Sequence, residues 1–494
     1  MQTDLSGDVV FRDPVVLDGS QRLRIAPGSK IVFENGIRAS DYDHVFEVAD
    51  NVLIQIKNVS HVTPNHFGAK GRLDQDQTVF LRQSVSSGAN VFVPPGDYSV
   101  ANVKRVAELG PKQSFVMSPG AWIREHESAT FNGTQLVCVS DGCEVKLNAD
   151  MGNPHGRRYY WGVVGRYDKP ARDVVVSGCD LKNMGVGVRA DNACGWRVFG
   201  NKIRGIRSSG ILCGTTVGNR VHGNSFLGNI IENCGDTAIA FFSLGGFGGK
   251  ISNNVVSGNI ANFTQLKTDG FALDIESNTE FGHQYGNSFT GNSVNQQGNA
   301  VPVDGERLLM PVWHMWLPGD RIIVDDIRYY VIEATQDHIR VSKTFQGAPE
   351  IFSAGQVFIT AGYQAGGIVS GDRTENTTIT GNVVAGSDNY YFSQGIVAAR
   401  NRCTSICGNS VFRCVTGINV QDIDGAVITG NQLNRNGGRS PVYSNLHLGK
   451  QPKNVVVSAN HFGSLKHQEA KHIYYSSLIT MEEANIAIGS NVFS

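Results

Sequence analysis

Short runs of alternating apolar and polar residues recur along most of the chain, and each run is followed by glycine and asparagine or close relatives of them. Each repeat contains a further alternating run, which begins with a glycine or another small residue, as at Gly210, Gly395 and Gly417. This residue stands 14 to 22 residues before the recurring asparagine of the repeat. A period of two is typical of half-buried β-strands. The sequence therefore predicts a repeat with two short strands. The recurring asparagines, 22 to 38 residues apart except for one gap of 90, are Asn201, Asn224, Asn254, Asn292, Asn382, Asn409, Asn431, Asn460 and Asn491.

This repeat predicts an all-β fold, a right-handed parallel β-helix (β-solenoid) in which each strand pairs with its equivalent on the coils about 4.8 Å above and below. The handedness follows from the general bias of parallel crossover connections. Asparagine tolerates a left-handed backbone, and its amide can stack on the amide of the next coil. We therefore expect Asn201, Asn224, Asn409 and Asn431 to lie in one line along the axis.

The repeat is interrupted once. No asparagine occurs between Ala300 and Glu375, and the segments WLPGDRIIVDD, IRYYVIEAT and HIRVSKTF read as antiparallel strands joined by turns. Removing about sixty residues from the 90-residue gap leaves one ordinary coil. The sequence predicts a small β module inserted at 301–362.

Composition and charge narrow the function. Lys and Arg (43) nearly balance Asp and Glu (44), so there is no basic footprint for nucleic acid or an anionic membrane. Nine cysteines in a chain of this size predict buried thiols rather than a disulfide framework, and no Cys or His spacing suggests a metal site or cofactor. No apolar run is long enough to span a bilayer, and the start MQTDLSGDVVF lacks the pattern of a secretion signal.

Residues 62–100 carry a more specific signal. The phrase from Phe67 to Gly71, the Asp-x-Thr step at Asp76, a short helix and the run from Val91 to Tyr98 resemble the entry of pectate-lyase-like parallel β-helix proteins, especially bacteriophage tailspikes. With the coils behind it, the resemblance covers about 60–494. It implies a strand-rich neck or particle-proximal segment at 1–60, β-helix with an entry cap at 61–300, the inserted module at 301–362, and further coils at 363–494.

The resemblance to tailspikes also implies a function. Such proteins are homotrimers that bind a bacterial surface polysaccharide (capsule, O-antigen or exopolysaccharide) and usually cleave it within the chain. The N-terminus would attach to a phage tail or baseplate protein. The protein would then be assembled in the host cytoplasm, reside in the virion tail, and act outside the cell.

Stacking the repeats on their glycines gives a candidate catalytic pair. Counted from Gly270, Asp274 and Glu276 emerge on the outer face of one strand, about 7 Å apart. Two carboxyl groups at such a distance can cleave a glycosidic bond, one as the general acid and the other as the base or nucleophile. In this alignment Phe242 lies beside Asp274 and favours proton donation, whereas Arg373 lies beside Glu276 and favours its ionised form. The alternative is a solvated salt-bridge ladder.

Other residues are candidates for substrate binding. Sugar rings stack on aromatic faces, which nominates Trp313 and Trp316 in the inserted module, although such aromatics can equally form the module's own core. The outward columns of the coils add Asn401 and Gln421. His283 and Tyr285, in a predicted long loop, could supply the base that β-elimination needs.

The paired acids favour hydrolysis over β-elimination, so we expect an endo-acting glycoside hydrolase. Two other functions stay open. One is a non-catalytic spike that recognises the same glycan as a receptor. The other is a secreted bacterial polysaccharide lyase, hydrolase or epimerase, which would normally carry a leader.

Overall fold

The computed structural model describes most of the chain, which forms two compact units, Met1–Ala190 and Asp191–Ser494. The described residues are 2–49, 51–152, 159–166, 168, 170–215, 220–243, 250–263, 271–276, 283–296, 299–310, 316, 318–324, 327–335, 337–353, 355–360, 366–371, 374–386, 394–437, 443–465, 470–477 and 479–494.

The first unit consists of short parallel strands, one 3₁₀ helix at Pro64–Phe67 and one α-helix, α1, at Thr78–Ser86. The strands pair in the orders β1-β4-β7, β2-β5-β8, β3-β6, β9-β12-β15-β18, β10-β13-β16-β19 and β11-β14-β17-β20. Their bounds are β1 (Gln2–Leu5), β2 (Asp8–Phe11), β3 (Val15–Val16), β4 (Arg22–Ile25), β5 (Lys30–Phe33), β6 (Ile37–Arg38), β7 (Phe46–Val48), β8 (Leu53–Ile56), β9 (Val91–Val93), β10 (Gly96–Val100), β11 (Arg105–Glu108), β12 (Ser114–Met117), β13 (Ala121–Glu125), β14 (Thr134–Cys138), β15 (Glu144–Lys146), β16 (Asn148–Asp150), β17 (Tyr160–Val164), β18 (Val175–Ser177), β19 (Asp180–Met184) and β20 (Val186–Arg189).

The N-terminal strands β1–β8 are coils in their own right. Their inner side holds a stack of phenylalanine rings, with centroids 4.9 Å apart for Phe11 and Phe33, 5.7 Å for Phe33 and Phe46, and 5.1 Å for Phe46 and Phe67. Offset aromatic contacts at these distances stabilise a core beyond the area they bury. Strands β1–β8 are therefore solenoid-like, with an apolar core.

Two glycines of the entry segment, Gly71 and Gly96, lie where two backbone turns approach each other closely. A Cβ on Gly96 would lie 2.9 Å from the Cα of Gly71, and both residues have positive φ. The helix α1 of this segment contacts both β8 before it and β11 after it.

The second unit contains most of the coils and the inserted module. Its strands are β21 (Arg197–Phe199), β22 (Lys202–Ile206), β23 (Ile211–Thr215), β24 (Arg220–His222), β25 (Ser225–Leu227), β26 (Ile230–Cys234), β27 (Ile239–Ser243), β28 (Lys250–Ser252), β29 (Val255–Ser257), β30 (Ile260–Phe263), β31 (Phe271–Glu276), β32 (His283–Tyr285), β33 (Ser288–Thr290), β34 (Ser293–Gln296), β35 (Asn299–Asp304), β36 (Arg307–Leu309), β37 (Arg321–Val324), β38 (Ile327–Ala334), β39 (His338–Ser342), β40 (Gly355–Thr360), β41 (Gly366–Ser370), β42 (Thr374–Glu375), β43 (Thr378–Thr380), β44 (Val383–Ala385), β45 (Gln394–Ala399), β46 (Arg402–Cys407), β47 (Ser410–Phe412), β48 (Thr416–Gln421), β49 (Asp424–Thr429), β50 (Gln432–Asn434), β51 (Ser444–Lys450), β52 (Lys453–Ser458), β53 (His461–Phe462), β54 (Lys471–Ser477), β55 (Ile486–Ile488) and β56 (Val492–Phe493).

The coils of this unit build three long parallel sheets, so the fold is a right-handed parallel β-helix, as the repeat predicted. Sheet A contains β23-β27-β31-β41-β45-β48-β51-β54, and sheet C contains β22-β26-β30-β34-β44-β47-β50-β53-β56. Sheet B, between them in chain order, contains β21, β24, β25, β28, β29, β32, β33, β42, β43, β46, β49, β52 and β55. Each coil therefore has a strand in three sheets, rather than two strands as the sequence suggested.

The inner side of sheet A is an unbroken column of aliphatic side chains. Residues in this column pair from coil to coil in register and are fully buried, so the column forms part of the core that holds the coils together. Its members are Ile211, Ile239, Leu273, Ile368, Ile396, Ile418 and Leu446.

The asparagines stack as expected, but in two ladders rather than one. In each ladder the side-chain Nδ2 of one asparagine donates to Oδ1 of the next, at 2.8 to 3.1 Å. The prediction that Asn224 lies in line with Asn201 is wrong, because Asn201 bonds to Asn229, and Asn224, Asn254 and Asn287 each stand five residues before the long-ladder asparagine of their coil. The long ladder is Asn201, Asn229, Asn259, Asn292, Asn382, Asn409, Asn431, Asn460 and Asn491, and the short one is Asn224, Asn254 and Asn287.

Between sheets C and A of one coil, the chain makes an excursion into six antiparallel strands, β35–β40, from Asn299 to Thr360. The strands close into a small barrel with its own apolar core, which includes Trp316, Tyr329 and Val341. The module begins and ends within two residues of the limits 301–362 read from the sequence.

All nine cysteines are free thiols. Six are buried, and burial raises the pKa of Cys138 and of Cys179 to about 12, so these thiols stay protonated at neutral pH. Within the described ranges, no helix has the length and apolar character needed to cross a membrane.

Candidate functional site

Asp274 lies on the outer side of sheet A, in the middle of β31. Its neighbour in the strand, Leu273, belongs to the column that faces the core and is fully buried. Asp274 itself is only half-buried, although its Oδ1 atom is inaccessible to solvent. The strand alternation thus presents a carboxylate on the outer surface of a rigid parallel sheet.

Glu276 stands two residues after Asp274 in the same strand, about 7 Å along the backbone. The backbone of Glu276 pairs with that of Phe242 on the preceding coil. The side chains of Glu276 and Phe242 lie outside the described residues. The two acids therefore share one strand and one face by backbone position.

The residues beside Asp274 on the adjacent coils differ from those predicted by aligning the repeats on their glycines. Asp274 pairs with Ala240 on one side and Val369 on the other, so the prediction that Phe242 lies beside it is wrong. The reason is a two-residue offset: the coil begins in register at Ala272, not at Gly270. An even offset keeps every residue on its predicted face and changes only its neighbours. Arg373, the predicted neighbour of Glu276, lies outside the described residues.

The outward column that contains Asp274 becomes polar again three coils further on, about 14 Å away. After Val369 and Val397 the column continues with Asn419, which is buried like these two valines, and then with His447 and Tyr474. We call Asp274, Asn419, Gln421, His447 and Tyr474 together the Asp274 face.

Asn419 is the centre of an amide network on this face. Its Nδ2 donates to Oε1 of Gln394 at 2.7 Å, and its Oδ1 accepts from Nε2 of Gln421 at 3.1 Å. Amide groups held in this way present fixed donors and acceptors, which is how binding sites orient hydroxyl-bearing ligands. Gln421, a residue selected from the sequence, therefore belongs to this face.

His447 and Tyr474 extend the same row. Their rings are 5.2 Å apart, Nε2 of His447 lies 2.8 Å from Oγ of Ser476, and the Lys471 ammonium lies 5.5 Å from the centre of the Tyr474 ring. Burial lowers the pKa of His447, so its imidazole is neutral at pH 7 and can both donate and accept a hydrogen bond.

The sequence alignment missed Asn419, His447 and Tyr474. Asn419 and His447 both stand two positions after the residue that opens their repeat, whereas the alignment followed the fourth and sixth positions. Had the column been drawn through the second position, it would have joined both to Val397 and Val369.

Several predicted binding residues lie elsewhere. Trp316 is only 1% exposed and forms part of the module's core, so its face is not available to a sugar. Trp313 lies outside the described residues. The backbones of His283 and Tyr285 form β32 in sheet B, not a loop beside Asp274; their side chains lie outside the described residues.

Asn401 also departs from its expected place on an outward column. It is 1% exposed, and its Nδ2 donates to the backbone oxygen of Ser370 at 2.9 Å and to Oγ of Ser370 at 3.0 Å. It lies at the corner between sheets A and B, where a groove opens. Among the described residues, no cluster of three or more His, Cys, Asp or Glu side chains could hold a metal ion.

Comparison with known proteins places this geometry in context. No protein-family model and no curated protein sequence matches the chain. Among solved structures, the tailspike protein of Escherichia coli bacteriophage HK620, in complex with a pentasaccharide, is similar over 87% of this chain and 80% of its own, with a TM-score of 0.51 and 12% identity.

Two polysaccharide enzymes give lower scores. The A-module of the mannuronan C-5 epimerase AlgE4 from Azotobacter vinelandii has a TM-score of 0.47 at 10% identity, covering 87% of this chain and 97% of its own. The catalytic unit of the GH87 α-1,3-glucanase from Streptomyces thermodiastaticus has a TM-score of 0.47 at 13% identity, covering 89% and 70%. At such identities the likeness concerns the fold, and this chain shares the right-handed parallel β-helix of a phage tailspike.

Proposed function

We propose that this protein is a phage tailspike depolymerase that binds a bacterial surface polysaccharide along the Asp274 face and hydrolyses it. The observation that carries the proposal is the placement of Asp274 on the outer side of sheet A, two residues before Glu276 on the same strand and in one column with Asn419, His447 and Tyr474. The tailspike fold, found in a protein solved with a pentasaccharide, adds support.

In this proposal the two acids take different roles. Asp274 lies between the apolar Ala240 and Val369 and has a buried carboxylate oxygen, an environment suited to proton donation to the glycosidic oxygen. Glu276 would act as the base or nucleophile. The backbone spacing of about 7 Å lets the carboxyl groups reach the separation of either the retaining or the inverting class.

The polar row would position the chain without taking part in proton transfer. Neutral amides, a neutral imidazole and a phenol bind sugar hydroxyls as donors and acceptors, and an aromatic face can stack on the C–H side of a ring. A glycan lying along the axis would cross the strands of sheet A one coil at a time.

The outer side of sheet B supports the further proposal of a homotrimer, attached to the phage tail through its N-terminus. One outward column of this sheet carries only small or aliphatic uncharged side chains over eight coils, and Val255, Val427 and Val456 in it are 38 to 44% exposed. A flat, uncharged surface of this kind suits contact with another copy of the chain. The column is Ser225, Val255, Ser288, Thr378, Ser405, Val427, Val456 and Ala487.

A digestion assay tests the proposal. The protein is incubated with a panel of purified capsular, O-antigen and exopolysaccharides, and both new reducing ends and the ultraviolet absorbance of unsaturated uronates are followed. Reducing ends without the absorbance support hydrolysis, and both signals together indicate elimination. Binding without either signal would mean a receptor-binding spike that does not cleave.

A further inference from the structure

A concave site lies at the corner between sheets A and B, and no residue of the Asp274 face lines it. This corner groove has a volume of 530 Å³ and crosses the coils that contain β42, β46, β49 and β52. Along this corner, three successive coils each contain two turn residues with a left-handed backbone. The turn residues, all with positive φ, are Arg400 and Cys403, Asp422 and Gly425, and Lys450 and Asn454.

Charged side chains alternate in sign along the groove. The register pairs Glu375 with Arg402, Arg402 with Asp424, and Asp424 with Lys453, on four successive coils that span about 14 Å. The Arg402 guanidinium and the Glu375 carboxylate are 3.8 Å apart, with side chains 71% and 46% exposed. Exposed ion pairs of this type contribute little to the free energy of unfolding, so stability alone is a weak reason for the row.

A buried polar group lines the same groove. Asn401 uses its Nδ2 on Ser370, while its Oδ1 is inaccessible to solvent and has no donor within hydrogen-bonding distance among the described residues. Buried acceptors in proteins are normally paired, so such an oxygen marks a place where a further donor is expected. It lies in the wall of the groove next to Arg400 and Arg402.

The charge balance identifies the class of ligand. The groove is lined by three carboxylates and three cations, so it has no net charge that would select an anion or a cation. Glu375, Arg402 and Asp424 retain hydrogen-bonding capacity beyond their contacts, because a carboxylate accepts at about four sites and a guanidinium has five N–H groups. Among the described residues, the side-chain contacts of these three are the Arg402–Glu375 pair and one hydrogen bond from Asn454 to Asp424. Adjacent acceptors and donors match the neighbouring hydroxyl groups of a sugar, one of which donates while the other accepts.

We infer that the corner groove is a second, non-catalytic binding site for a neutral, hydroxyl-rich saccharide segment. This inference rests on the proposed function, since the segment would belong to the same polysaccharide that the Asp274 face cleaves. The groove would raise the affinity for long chains by holding them at a second point. It would leave the turnover of short oligosaccharides unchanged.

The test uses the full-length protein with Asp274→Asn, which prevents cleavage, and an array of purified neutral and uronate-containing bacterial polysaccharides as probes. A corner variant adds Arg402→Gln and Asp424→Asn, two exposed positions where the amides keep the shape. A control variant instead adds Lys343→Met and Glu350→Gln, which remove an exposed ion pair of 2.9 Å in the inserted module. Equal thermal unfolding of all variants shows that the fold is intact.

The inference predicts that the corner variant binds the neutral polysaccharides at least about tenfold more weakly than the control variant, because it loses hydrogen bonds to two charged groups, which are stronger than bonds to neutral ones. With Asp274 restored, the corner variant should cleave short oligosaccharides at the wild-type rate. Equal affinity of the corner and control variants would overturn the inference while leaving the proposed function in place. Failure of every variant to bind any polysaccharide would overturn both.

Discussion

Asp274 lies beside Val369 on the next coil of sheet A, although the entire antiparallel module separates the two residues along the chain. The module leaves the solenoid after β34 and the chain returns to sheet A at β41, so the parallel register resumes as if the excursion were absent. The coil with the candidate acids is therefore continued directly by the coil that follows the module.

The first prediction concerns the acids. Asp274→Asn and Glu276→Gln should each lower depolymerisation by at least about a hundredfold, the usual effect of losing a positioned proton-transfer group, and should leave glycan binding and unfolding unchanged. Glu232→Gln provides a matched control, because Glu232 is a half-buried acid on an outward position of sheet C. Reducing-end release is the measurement, and near-wild-type rates for both variants would exclude this pair.

A second prediction concerns Asn419. Replacing it with alanine removes the partner of both Gln394 and Gln421, so the amide network loses its order. We expect the KM for the polysaccharide to rise about tenfold with kcat nearly unchanged, because the group binds the chain away from the reacting bond. Val397→Ala, on the same column, is the control for a change of volume; a fall in kcat alone for Asn419→Ala would argue against a binding role.

The asparagine ladder gives a stability prediction. Asn409 is fully buried, donates to Asn431 and to the backbone of Ile379, and accepts from Asn382. Asn409→Ala leaves several buried groups without partners and should lower the free energy of unfolding by at least about 2 kcal/mol. Asn491→Ala, at the end of the ladder, should cost clearly less in the same denaturant titration; equal losses would mean that the ladder is not cooperative.

The fold could be predicted from the sequence more completely than the candidate site. The period-two pattern and the recurring asparagines are local features, so they indicated the β-helix and the module. The register was harder, because one glycine frame cannot show that the Asp274 coil starts at Ala272. In three coils, two asparagines stand five residues apart, as Asn224 and Asn229 do. The sequence pattern did not separate the two ladders, because such a pair resembles one repeat with a loop of variable length. Asn401 could not be placed from alternation, which does not apply at a corner.

Stability should depend on pH through His66. Its Nε2 lies 3.0 Å from the backbone oxygen of Ser40, and its Nδ1 accepts from the N–H of Thr63 at 3.2 Å, so the folded state holds the neutral ring. Burial lowers its pKa below the unfolded value of about 6.5, so its contribution to stability is present above that pH and lost as the pH falls below it.

The corresponding experiment compares the wild type with His66→Gln by thermal unfolding from pH 8 to pH 5. Glutamine can keep the reciprocal cap with Thr63 but does not titrate, so the variant should lose less stability than the wild type between about pH 6.5 and 5. Parallel curves for the two proteins would show that His66 does not contribute to the pH dependence.

The most direct test of the central claim is a crystal structure of the Asp274→Asn variant with an oligosaccharide product of the polysaccharide that the wild type cleaves. The account predicts a sugar chain along the outer side of sheet A, with a glycosidic oxygen within hydrogen-bonding distance of residue 274 and contacts to Asn419 or His447. A chain bound only on another face, with the outer side of sheet A unoccupied, would contradict it.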